Sequence, residues 1–262
     1  MLVSIGYRIR ETTMSKISLS MVSASAYVPN NPDVNLGNFH DKLLGIVGKG
    51  KRIEFLSSIV GTLSEPSKMP TYAYSIPAKY CITGSKLRSI VGSTCSHCYA
   101  LKGRYIFPNV MKAMEYRFNA LNDLPLWKAS MVELIRETYV KPSGKFDNNY
   151  FRWHDSGDIQ SIDHLQAIAG IAKALPSILF WLPTREYGIV GDYLRNNTKP
   201  ENLTIRLSAH MIGKAIERAI VGTVTSSVES GIGDKCKASK QGNMCLNCRD
   251  CWHVKNVDYV QH

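Results

Sequence analysis

The feature that most restricts this fold is a rhythm in the second half of the chain. The β-prone segments NYFRWH, SILFWL and LTIRLS each run into a polar turn, and their ends fall at His154, Thr184 and Ser208, 30 and 24 residues apart. Between the first two, Ser161 is placed to cap a helix whose apolar residues recur at Ile162, Leu165, Ile168, Ala169, Ala172 and Leu175, and Pro176 ends it. A shorter helix near 188–195 separates the second segment from the third. Strands alternating with helices at this repeat predict βα units and a parallel sheet. The expected fold class is therefore α/β: a partial or complete TIM-like parallel βα barrel over residues 71–228. Residues 1–70 would form an extension packed on the barrel, and 229–262 a Cys-rich metal-binding tail.

Upstream, TYAYSI at 71–76 reads as a strand before Pro77 and Cys81. Residues 95–105 read as a loop entering a helix. Two helices are expected at about 108–122 and 125–139, the second opened by Pro125 and faced by Leu126, Met131, Leu134 and Ile135. The first 70 residues give little periodicity, with turn signals such as Pro29-Asn30-Asn31-Pro32, and Met14 is a candidate alternative start.

Parallel βα folds place their chemistry at the carboxyl ends of the strands. Here those ends carry His154-Asp155-Ser156-Gly157-Asp158, Thr184-Arg185-Glu186 and Ser208-Ala209-His210. One polar strand end is an ordinary cap or turn. Three on the same rim predict a binding or catalytic cleft.

Seven cysteines fall in two groups. Cys95-x2-Cys98 has Cys81 upstream, and Cys236-x8-Cys245-x2-Cys248-x2-Cys251 lies in the tail. A two-residue gap lets adjacent thiolates face one ion or cluster. The odd number and the missing secretion signal argue against a disulfide framework. The tail is rich in Gly and Lys with almost no continuous apolar run, so a metal is expected to organise it. Three cysteines at successive two-residue gaps sit closer to ferredoxin spacing than to the paired knuckles of zinc ribbons. Iron–sulfur is thus the first expectation, [4Fe-4S] in type, and zinc the alternative in the tail. His253 and His262 read as surface histidines.

The charge balance is +11, spread along the chain without a dense basic block. It suits an anionic small molecule or a nucleic acid as partner, although a basic protein with no anionic partner is equally compatible. No run approaches the ~18 apolar residues of a membrane span, and the amino terminus lacks a signal-peptide core, so no membrane and a cytoplasmic location are expected.

TCSHCYALKGRY, FRWHDSGDIQS, FWLPTREY, PENLTIRLSAH and the terminal CLNCRDCW with VDYVQH resemble, in that order, the gene product 88 family of bacteriophage proteins over roughly residues 70–262. That resemblance implies a phage origin and the host cytoplasm. A more distant similarity is to radical SAM enzymes, whose partial α/β barrel opens with a three-cysteine loop holding a [4Fe-4S] cluster with one open iron. Cys95-x2-Cys98-Tyr99 is similar to the second half of such a loop. The usual first cysteine position is Val91 here, so Cys81 would serve, and His97 replaces the usual aromatic residue. The similarity implies S-adenosylmethionine as a ligand, with Tyr99, Ser156, Gly157, Thr184 and Ser208 beside it. Asp155 and Asp158 would hold ribose hydroxyls or an amine, Arg185 a carboxylate or phosphate as a fork, and His154 or His210 would shuttle protons. Two classes of function follow. One is a radical-SAM-like enzyme acting on a nucleotide, nucleic acid or other anionic substrate. The alternative is a zinc- or iron–sulfur-containing nucleic-acid-binding protein without catalysis.

Overall fold

A computed structural model describes residues 31–139, 147 and 149–261. Met14 and the first turn signals before residue 31 lie outside that range, as does His262.

The described chain opens with two helices, α1 (Phe39–Leu44) and α2 (Lys49–Val60). Strand β1 (Tyr72–Tyr74) follows, then a short helix α3 (Ile82–Leu87), and the longer α4 (Pro108–Ala120) and α5 (Leu124–Tyr139). The βα rhythm then runs as β2 (Tyr150–Trp153), α6 (Ile162–Ala174), β3 (Leu179–Thr184), α7 (Tyr187–Asn196) and β4 (Leu203–Ser208). The chain ends in β5 (Val224–Val228), β6 (Asp234–Lys235), a one-turn helix α8 (Asp250–His253) and β7 (Asn256–Tyr259). Ser161 caps α6 as expected, its hydroxyl accepting from the His164 N–H at 3.1 Å. Residues 99–106 form two short 3-10 turns rather than a plain loop.

All seven strands lie in one sheet in the order β1-β2-β3-β4-β5-β7-β6, and every pairing is parallel. The parallel α/β expectation holds. A complete barrel does not: β1 and β6 stand at opposite edges and do not pair with each other among the described residues. Six strands alone would leave too short a perimeter, and β6, at two residues, offers too few backbone groups to bridge back to β1.

The two faces of the sheet differ chemically because side chains alternate. One face presents Tyr72, Tyr74, Phe151, Trp153, Phe180, Leu182, Leu203 and Ile205 to the main core, shared with Phe39 of α1, Leu56 and Val60 of α2, Trp127 and Met131 of α5, and Leu165 and Ile168 of α6. Ile162, the first residue of the predicted apolar stripe of α6, stays 39% exposed because it lies in the opening turn. The other face presents Arg152, Trp181, Thr204 and Arg206, and Trp181 packs there with Met69 and Trp252.

That second face is covered by the tail. Trp252 stacks edge-on against Trp181 at 5.1 Å and donates from its indole N–H to the Phe151 carbonyl at 3.1 Å. The tail also supplies β7, inserted between β5 and β6, so it shares the protein's sheet and its apolar packing. A polar lock holds the Gly-rich approach to it. The Asp258 carboxylate accepts from the Ser227 hydroxyl at 2.8 Å and from the Ser230 and Gly231 N–H groups, each at 3.0 Å. Burial works against the charged form of Asp258, but these donors win and hold its pKa below the usual value. No helix among the described residues is long and apolar enough to cross a membrane.

Candidate metal and ligand site at the carboxyl rim

The ends of β2, β3 and β4 meet at one rim, stitched together by the segment carrying the first cysteines. Thr83 donates to Glu186 twice, from its N–H at 2.8 Å and its hydroxyl at 2.6 Å. The Thr94 N–H donates to the His210 carbonyl at 2.9 Å, and its hydroxyl accepts from Arg185 Nε at 3.0 Å. Thr83 follows Cys81, and Thr94 precedes Cys95. Both contacts therefore draw the cysteines over the strand ends.

Asp158 is the centre of this arrangement. It is buried, with Oδ2 accepting from the Arg185 N–H at 2.9 Å and Oδ1 from the Ile159 N–H at 2.8 Å. Desolvation raises its pKa to about 6, and Glu186 adds repulsion, while the donors from Thr184, Arg185 and Ile159 oppose the rise. Asp155 Oδ2 accepts from the Tyr105 hydroxyl at 2.9 Å, whereas Oδ1 is buried without a hydrogen-bond partner. Tyr99 is half exposed, with its hydroxyl turned in to donate to the Asp155 carbonyl at 2.5 Å. Arg185 spends Nε on Thr94. Its terminal guanidinium nitrogens have no hydrogen-bond partner among the described residues. His210 lies flat on the Tyr187 ring, 4.3 Å between centroids, with Nε2 3.3 Å from the Arg185 carbonyl. Ser208 accepts from the Ser226 hydroxyl at 3.2 Å. Thr184 accepts the Glu186 N–H at 3.0 Å.

Other expected residues turn away from this rim. His154 is buried at φ 51°, its ring 5.4 Å from that of His164 on α6 and facing the helix-covered core. Neither of its ring nitrogens has a partner, and burial, reinforced by His164 and Arg152, holds its pKa well below the usual histidine range. Ser156 accepts the Ile76 N–H at 3.1 Å through its carbonyl. Gly157, at φ +85°, is pressed on Ile76, where a Cβ would stand 2.3 Å from Cγ1 and 2.7 Å from the carbonyl oxygen.

The three upstream cysteines come together although 14 positions part Cys81 from Cys95. A Cβ built on Gly84 of α3 would sit 3.5 Å from Cys95 Sγ and 3.7 Å from Cys81 Sγ, so the glycine leaves open the space beside both sulfurs. Burial pushes the Cys81 thiol far up, and Asp158, Cys98, Cys95 and Glu186 push in the same direction. Cys95 is also raised by burial, with Arg185 the largest opposing influence. Anionic groups thus crowd a buried spot with one cation beside them. A bound cation would relieve that crowding, so the donor set suits a metal ion or cluster. As the side chains stand, no group of three or more His, Cys, Asp or Glu among the described residues is arranged to hold a metal ion. Loading the site therefore requires rotamer changes at the thiols.

In the tail, the Cys248 N–H donates to the Cys245 carbonyl at 2.8 Å, the tight turn expected of a two-residue cysteine gap, and the Cys236 N–H donates to the Asp258 carbonyl at 2.9 Å. Cys251 Sγ lies 3.1 Å from the Tyr259 hydroxyl. Cys245 and Cys251 pack against Met69, Trp181 and Trp252. His253 is exposed, 3.2 Å from the Tyr150 hydroxyl, and takes no place among the thiols.

Sequence reasoning missed Thr83, Thr94, Tyr105 and Glu186, which tie the rim together, and Arg152 and Arg206, which lie under the tail. The arginines did leave a signal: each is a charge inside a segment otherwise read as a buried strand, NYFRWH and LTIRLS.

No curated protein and no solved structure matches the chain at a significant level. The gene product 88 family model matches residues 49–235, beginning earlier than the quoted motifs and ending one residue before Cys236. The rim and its three cysteines fall inside the matched region and the tail cysteines beyond it; with most of its length matched, the chain belongs to the gene product 88 family.

Proposed function

We propose that this phage-family protein is an iron–sulfur enzyme of radical-SAM-like type, acting in the host cytoplasm on a nucleotide, nucleic acid or other anionic substrate. The observation that carries the reading is the convergence of Cys81, Cys95 and Cys98 beside Asp158 and Arg185, where contacts from three strands and the cysteine segment meet. The sheet's near-sequential parallel order agrees with a partial barrel. Cys81, Cys95 and Cys98 would hold a [4Fe-4S] cluster with one position left for S-adenosylmethionine, and such a cluster supplies a single electron.

The chain's own residues then have distinct tasks. Arg185, anchored through Nε, offers its terminal nitrogens to a carboxylate or phosphate. Asp155, held by Tyr105, presents its unpartnered Oδ1 to a hydroxyl or amine. Asp158 fixes the backbone of Arg185 and so aims that side chain. The test is anaerobic purification, quantification of iron, sulfide and zinc, and absorption and EPR spectra. About four irons per cluster are expected, and replacing Cys81, Cys95 and Cys98 by Ala should remove one cluster's worth. Zinc without iron would overturn the reading.

A further inference from the structure

We propose that Arg152 and Arg206 are the counter-charges of the tail cysteine centre, two guanidiniums set in the sheet to offset the negative charge that four thiolates leave on a bound ion or cluster. This rests on the reading of Cys236, Cys245, Cys248 and Cys251 as a metal centre. It adds residues outside the ligand set and gives them a charge role.

Arg206 is fully buried, and every hydrogen bond of its guanidinium goes to a backbone carbonyl: Cys251 at 3.2 and 3.0 Å, Val254 at 2.7 Å, and Thr225. Arg152 lies over the Trp181 ring at 4.6 Å and reaches the Met69 sulfur at 2.8 Å, while its Nε is buried with no partner. Neither arginine forms an ion pair among the described residues. Leaving a cation buried without an anion is costly, commonly about 3–5 kcal/mol when a partner is removed. Two such cations on one face call for an anion, and the cysteines are what lies over them.

The placement is specific. Arg152 is the register partner of Trp181, and Trp181 of Thr204, two residues before Arg206. The two charges therefore flank the Trp181 platform on which Cys245 and Cys251 pack. The fields agree with this: Cys251 is pushed up to about 11, first by burial, and its Tyr259 hydrogen bond, Arg206 and Arg152 all hold it back. A dipositive ion or cluster core bound by four thiolates keeps a net charge of about −2. Two arginines match that charge, and Lys237 lies at the outer side paired with Asp250 at 3.2 Å, so it adds no net positive charge there.

The experiment follows metal release from anaerobically purified protein challenged with a chelator, with metal content measured per chain. Arg152→Met keeps a stem over Trp181 and removes the charge. It should release the tail metal about 10–100-fold faster or bind it that much more weakly, the range found when partners around a metal site are lost. Arg152→Lys, which retains the charge, should stay near wild type, and release from the upstream trio should not change. Where Arg152→Met does not fold, Arg152→Gln takes its place, with far-ultraviolet circular dichroism checking the fold. Equal release from wild type and Arg152→Met, or equal loss in Arg152→Met and Arg152→Lys, would overturn the counter-charge role while leaving the metal centre standing. Wild-type protein whose metal content is unaffected by Cys248→Ser would overturn the centre, and the counter-charge role with it.

Discussion

Replacing Gly157 by Ala is a demanding test of the rim, because its effect divides into two parts that the structure separates. Gly157 has φ +85°, where a side chain is strained by about 1–2 kcal/mol. Gly222 has the same φ +85°, with nothing within 4 Å of where its Cβ would be, so Gly222→Ala should cost only that strain. At Gly157 the new methyl would stand 2.3 Å from Ile76 Cγ1 and 2.7 Å from the Ile76 carbonyl oxygen. A rotamer change at Ile76 relieves the first contact only. The second is backbone at the end of β1, held by the hydrogen bond from the Ile76 N–H to the Ser156 carbonyl, so relief requires the turn to move. Overpacking of this kind adds about 1–3 kcal/mol, giving about 2–5 kcal/mol in all. Urea denaturation of the two variants beside wild type reads the difference directly. Gly157→Ala should unfold at clearly lower urea than Gly222→Ala, with similar transition slopes. Equal midpoints would mean that the turn is not pressed on β1 as described, and the alignment of Asp155 and Asp158 argued from it would fall too.

Acid should destabilise the protein through His164. Burial lowers its pKa from 6.5 to about 3, so the folded state binds fewer protons than the unfolded one between those values. Its contribution is intact above about pH 6.5 and is lost as pH falls towards 3, at up to about 1.4 kcal/mol per pH unit. His164→Phe should flatten that acid limb in urea titrations at several pH values, and parallel limbs would refute the assignment. Trp252→Ala removes the indole that packs on Trp181 and bonds the Phe151 carbonyl, and should cost about 3–5 kcal/mol. Limited proteolysis should then cut first between residues 236 and 255, and unchanged resistance would count against this packing. Chelation should expose the same loop to hydrogen exchange while Asn256–Tyr259 stays protected by its pairing with β5. Loss of protection in both together would show that the strand depends on the metal.

Where the information was local, the sequence was readable. The capping serine and apolar stripe of α6, the proline after it, and the polar ends of three successive strands placed β2, α6, β3 and β4 within a residue or two. The meeting of Cys81 with Cys95 and Cys98 depends on Thr83 with Glu186 and Thr94 with Arg185, contacts spanning 103 and 91 residues. No spacing rule reaches that far. His154 was placed at a strand end correctly, but its positive φ swings the ring into the core, and periodicity does not report a single dihedral. The tail was harder still. NVDY is short and half polar, and it becomes a strand because β5 offers an open parallel edge.

The insertion of β7 between β5 and β6 bears on how the protein behaves at high concentration. Beyond β7 the sheet is finished by the two residues of β6, pinned there by the chain on either side. The backbone of β7 is thus shielded by one of the shortest covers a strand can have. Anything that loosens residues 236–255 loosens that cover, and a bared strand edge is a template for a second molecule. Self-association of chelated protein, growing with concentration, would then start at Asn256–Tyr259.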